Sequence, residues 1–116
     1  MHEMSIAVEL LRQLEELADD RNLVKIEEVA VAAGKMRQVV PEALTVAFEA
    51  VAYGTVAEGA KLCIETVEIE ANCRSCDLTF PASIDSYICP ECNQADVDII
   101  KGNEIILSSL TCRQAE

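Results

Sequence analysis

The chain has 116 residues, a formal net charge of −12 and a pI near 4.4. Half of it is hydrophobic (51%) but only 3% is aromatic, so an aliphatic core is expected, in one modest domain or a small domain with an insert. The acidic surplus argues against nucleic acid and anionic membranes and favours cationic partners or metal ions.

Residues 4–21 read as a helix, with Ala7, Leu10, Leu11, Leu14, Leu17 and Ala18 on one face and Asn22 as its stop. "VKIEEVAVAAG" predicts a strand over 25–33, its alternation broken at Glu27-Glu28. Pro41 suits the first turn of a second helix, with Glu42 at its positive end. Leu44, Ala47, Phe48, Val51 and Ala52 form its apolar stripe, and Gly54 ends it. "AKLCIETVEIE" (60–70) predicts one further strand, with a bulge where the apolar phase shifts near Glu65-Thr66. From Cys73 to Lys101 the texture changes to cysteines, prolines and short polar turns, with little to form a core. "IIKGNEIILSSL" then gives strand-like runs around a Gly102-Asn103 turn.

Helix, strand, helix, strand, cysteine module, strand is the resulting order. A strand–helix–strand unit makes a right-handed parallel crossover, and the last strand must return to the same sheet. The expected class is α+β: a small three-stranded mixed sheet with two helices on one face, plus an inserted zinc-ribbon lobe. Residues 1–70 and 103–116 would form the α/β domain and 71–102 the lobe.

The absence of any apolar run approaching ~18 residues predicts no membrane span. An acidic amphipathic start without a basic segment predicts no signal peptide, hence a cytoplasmic protein. In that compartment six cysteines read as metal ligands before disulfides.

"CRSC" (73–76) and "CPEC" (89–92) are the strongest motif. Each pair can wrap a metal and supply two thiolates, and two pairs complete a tetrahedron suited to zinc. Four thiolates leave no open coordination position, so Cys73, Cys76, Cys89 and Cys92 are expected to hold a structural ion and not to activate water. Rubredoxin-type iron uses the same ligand set, usually with glycine after each second cysteine. Asp77 and Asn93 stand there, and Asn tolerates the left-handed conformation. A nucleic-acid-binding ribbon is opposed by charge: Arg74 and Lys101 face Asp77, Asp85, Glu91, Asp96 and Asp98. Cys63 and Cys112, outside the pairs, read as small buried hydrophobes.

The single histidine, His2, lies beside the N-terminus in "MHE". One reading is a solvated side chain, with Glu3 facing the helix dipole. The other is a chelate: the Met1 amine, the His2 backbone nitrogen and imidazole, and the Glu3 amide or carboxylate as a fourth donor. Nitrogen-rich tetragonal sets suit Ni(II) or Cu(II) better than zinc.

Taken together, "MHEMSIAVELL", "PEALTVAFEAVAYGT", "AEGAKL", the two cysteine pairs and "GNEI" resemble the HypA/HybF family of hydrogenase-maturation nickel-insertion proteins, over nearly the whole chain and in the same order. The resemblance implies a nickel metallochaperone that delivers Ni(II) to the [NiFe]-hydrogenase large subunit alongside a maturation GTPase, with no catalytic activity of its own. It implies a zinc ribbon inserted between the last two strands. His2 matches the family's nickel ligand, Glu3 its acidic neighbour, and Cys73, Cys76, Cys89 and Cys92 its zinc ligands. The family often has glycine after the final cysteine, where this chain has Asn93, and proline before the first pair, where it has "EIEANC". Neither change removes a ligand. A monomer or homodimer is expected. The competing function is a zinc-ribbon module that binds nucleic acid or protein.

Overall fold

The computed structural model describes residues 2–114. Its elements are α1 (Glu3–Arg21), β1 (Leu23–Gly34), a 3-10 turn (Lys35–Arg37), α2 (Pro41–Ala52), β2 (Lys61–Val67), β3 (Ile69–Cys73), β4 (Thr79–Ala82), β5 (Val97–Lys101) and β6 (Ile105–Gln114). They make two three-stranded sheets, ordered β2-β1-β6 and β4-β3-β5. The chain packs as two units: Met1–Val31, Val39–Ile64 and Leu107–Glu116 in one, Ala32–Gln38 and Glu65–Ile106 in the other.

The first unit is built as the periodicity predicts. Ala7, Leu10, Leu14 and Ala18 of α1 and Leu44, Ala47, Phe48 and Ala52 of α2 are buried, and the two helices pack together. Its core is aliphatic apart from Phe48. Asn22 ends α1 in the left-handed conformation (φ 53°), its N–H donating to the Ala18 carbonyl. Pro41 opens α2, where a missing N–H is harmless. Ser108 hydrogen-bonds to Ala30 and Arg113 pairs with Glu27 at 3.1 Å, so β6 runs antiparallel to β1. In this mixed sheet the α2 crossover brings β2 back parallel to β1. On β1, Ile26 is buried, Glu27 and Glu28 are exposed, and Val29, Val31 and Ala33 are buried, so the phase reverses at the two glutamates.

Residues 60–70 do not form one bulged strand. The run breaks at Glu68: β2 belongs to one sheet and β3 to the other. The apolar phase shift precedes the change of sheet: Leu62 and Ile64 are half-buried in β2, whereas Val67 is already in phase with the buried Ile69, Ala71 and Cys73 of β3.

In the second unit β3 is central and antiparallel to both neighbours, pairing Ala71 with Phe80 on β4 and with Ile99 on β5. This lobe has a small core after all. Ala71, Cys73, Phe80 and Cys89 are buried, and Leu78, Ala82, Cys92, Val97 and Ile99 pack on them. Half of that buried core is thiol. Nearby the backbone crosses at close quarters. The Gly34 N–H donates to the Glu104 carbonyl at 2.7 Å, and the Met36 N–H donates to the Gly102 carbonyl at 2.9 Å. A Cβ on Gly34 would stand 2.3 Å from the Gly102 carbonyl. One on Gly102 (φ +91°) would stand 2.7 Å from the Glu68 carbonyl oxygen. Only glycine fits either place.

Candidate metal centre

Four sulfurs converge in the second unit. The Sγ atoms of Cys73, Cys76, Cys89 and Cys92 all lie within 4.8 Å of one another, and Cys73 Sγ is 3.6 Å from Cys92 Sγ. A zinc tetrahedron with ~2.3 Å bonds has sulfur–sulfur edges of about 3.8 Å, so the spacing fits that ion. Each pair is held by a knuckle. Asp77 N–H donates to the Cys73 carbonyl at 2.8 Å, and Asn93 N–H to the Cys89 carbonyl at 2.9 Å. Both donors are left-handed, with φ of 54° and 59°, so the residues that replace glycine adopt glycine's conformation. The Cys76 N–H points at the Cys73 sulfur, 3.5 Å away.

The thiols are not equivalent. Backbone N–H groups of Cys92 and Glu91 bring Cys89 down to about 7. Hydrogen bonding with Cys92, then desolvation, pushes Cys76 up to about 12. Four neighbouring thiols cannot all ionise without a cation to share, which is the electrostatic condition for a metal site.

One feature of the cluster was not legible from spacing. Arg74, inside the first pair, grips both Asp96 and Asp98, the latter at 2.6 Å, while its own N–H donates to the Asp96 carbonyl at 3.1 Å. By charge alone these residues argue against a phosphate-binding surface. The fold makes them a clasp between the first knuckle and the start of β5. The only signal was opposite charge flanking the two pairs.

His2 and Glu3 lie in the other unit. His2 occupies the N-cap position of α1 with its side chain exposed and no side-chain cap bond, its carbonyl accepting the Ile6 N–H at 3.2 Å. Glu3 is half-buried, and its Oε2 accepts the Val40 N–H at 3.0 Å. That bond, followed by Glu3's own backbone N–H, holds the carboxyl below its ordinary value. The Met1 amine, the other expected donor, lies outside the described residues.

Cys63 and Cys112 are not buried hydrophobes. Cys63 is exposed and Cys112 half-buried. They lie on β2 and β6, on either side of β1. Two strand spacings of ~4.8 Å separate their strands, beyond the reach of a disulfide.

A family model described as hydrogenase/urease nickel incorporation, metallochaperone, hypA, matches residues 1–112. The chain belongs to the HypA family. The hydrogenase maturation factor HypA of Picosynechococcus sp. is 42% identical over 110 residues, which is 95% of this chain and 97% of that one. Its counterpart from Chlorobium limicola is 33% identical over the full length of both. The solution structure of the Ni metallochaperone HypA from Helicobacter pylori superposes with a TM-score of 0.78 at 32% identity, covering 99% of this chain and all of that one. The family is thus one of nickel metallochaperones for hydrogenase maturation, and the four-cysteine cluster suits zinc. Among the described residues no helix is long and apolar enough to cross a membrane.

Proposed function

We propose that the chain is a cytoplasmic, non-catalytic nickel metallochaperone. Ni(II) is its cargo, bound at the N-terminus by the His2 imidazole and backbone nitrogen together with the Met1 amine, with the Glu3 backbone amide as the fourth donor. The cargo passes to the [NiFe]-hydrogenase large subunit with the help of a maturation GTPase. Zinc, held by Cys73, Cys76, Cys89 and Cys92, is structural and closes the 71–102 lobe, while residues 1–70 and 103–116 carry the nickel site.

The observation that carries this reading is His2 itself. It occupies a helix N-cap, where Ser, Asp or Asn would contribute about 1 kcal/mol, and makes no capping bond with its side chain. An exposed imidazole there contributes little to folding and stands free for ligation. A site beside a chain end can exchange ligands with a partner without unfolding the core. Selection of nickel over copper cannot come from affinity order and must come from geometry and handover.

His2→Ala should abolish high-affinity nickel binding in calorimetric titration and leave the zinc content at about one per chain. Parental nickel binding by His2→Ala would defeat the terminal site.

A further inference from the structure

Helix α2 lacks a cap of its own. Its N-cap is Val40, its first residue is Pro41, and the N-cap side chain makes no capping bond. In a capping box a glutamate three residues into the helix accepts the N-cap N–H. That position here is Ala43. The bond is made instead from another helix, 37 residues away in sequence, by the Glu3 carboxylate at 3.0 Å. The same side chain belongs to the first turn of α1, immediately after His2.

We propose that Glu3 is a positioning residue for the nickel site: its carboxylate, bound to the Val40 N–H, pins the first turn of α1 to the start of α2 and so holds the His2–Glu3 backbone ready for the ion. The proposal rests on the terminal-site reading above. A helix end with no capping bond of its own frays. A frayed chelate must be ordered when the metal binds, and that ordering weakens affinity. The anchor removes the cost in advance.

The donor can be deleted without touching Glu3. Val40 has φ −90° and ψ 109°, close to the φ of about −65° that proline imposes, so Val40→Pro removes the N–H with little change of path. Nickel titration of the zinc-loaded full chain should show about tenfold weaker binding in both Glu3→Ala and Val40→Pro, with a smaller loss in Glu3→Gln, which keeps an acceptor oxygen. The double variant Glu3→Ala/Val40→Pro should be no weaker than either single one, because both cut the same bond. The absorption bands of nickel-loaded Val40→Pro should stay at the parental wavelengths, since no ligand is lost. Parental affinity in Val40→Pro, with Glu3→Gln as weak as Glu3→Ala, would make the carboxylate a ligand and overturn the proposal. If Val40→Pro does not fold, hydrogen exchange at the Val40 amide decides. Exchange about tenfold faster in Glu3→Ala supports the anchor, and an unchanged rate overturns it. His2→Ala in the same titrations separates the two ideas. Parental binding there defeats the terminal site and the positioning role together. Loss there alongside a parental Val40→Pro defeats only the positioning role.

Discussion

Cys76 and Cys89 share one sulfur cluster but are displaced in opposite directions from the ordinary thiol value of 9.0. Cys89 is lowered to about 7 in the folded lobe, so its contribution to stability is present above 9.0 and is lost as pH falls through about 7. Cys76 is raised to about 12, so its contribution is present below 9.0 and is lost as pH rises through about 12. Zinc-free protein should therefore be most stable in the lobe near pH 9, weakening on both sides, as read by amide exchange of β3 and β5. A flat profile from pH 7 to 11 would contradict the unequal thiols. The convergence of the four sulfurs was legible in the sequence because two C-x-x-C pairs admit few other readings. Asn93 could be assigned a left-handed knuckle because Asn tolerates that backbone, and its φ of 59° agrees. The Arg74 clasp and the Glu3–Val40 bond were not legible, since each joins residues that only the fold brings together.

At the scale of elements, helices announced themselves and strand partners did not. Both helices carry a 3.6-residue apolar stripe with recognisable ends, Asn22 closing one and Pro41 opening the other. Between residues 60 and 70 the phase shift was visible, but a bulge and a change of sheet leave the same mark on one strand. What distinguishes them is the partner strand, which alternation does not name. The glycine crossing gives the element-scale test. Gly34→Ala drives its Cβ into the Gly102 carbonyl and should cost about 3 kcal/mol or more. Gly54→Ala meets nothing within 4 Å and suffers only its φ of +78°, so about 1 kcal/mol is expected. Urea unfolding of the two variants should separate them, and equal midpoints would contradict the packing described.

For the whole molecule the two expected ligand sets fall in different units and share no residue: His2 and Glu3 in one, the four cysteines in the other. Cys73→Ser should release zinc and loosen residues 73–101 in hydrogen exchange, while α1, α2 and β1 keep their protection. Collapse of both units together would show that zinc supports more than its lobe. The central claim is that the chain terminus is itself part of the nickel chelate, and the Met1 amine is the group to test. Nickel binding should be measured calorimetrically on three forms: the native terminus, an N-terminal Gly-Ser extension and a C-terminal Gly-Ser extension. An N-terminal extension turns the amine into an amide, which must lose a proton to bind. Affinity should then fall at least tenfold, about 1.4 kcal/mol, while the C-terminal extension leaves it unchanged. Equal affinity in all three forms would contradict the chelate.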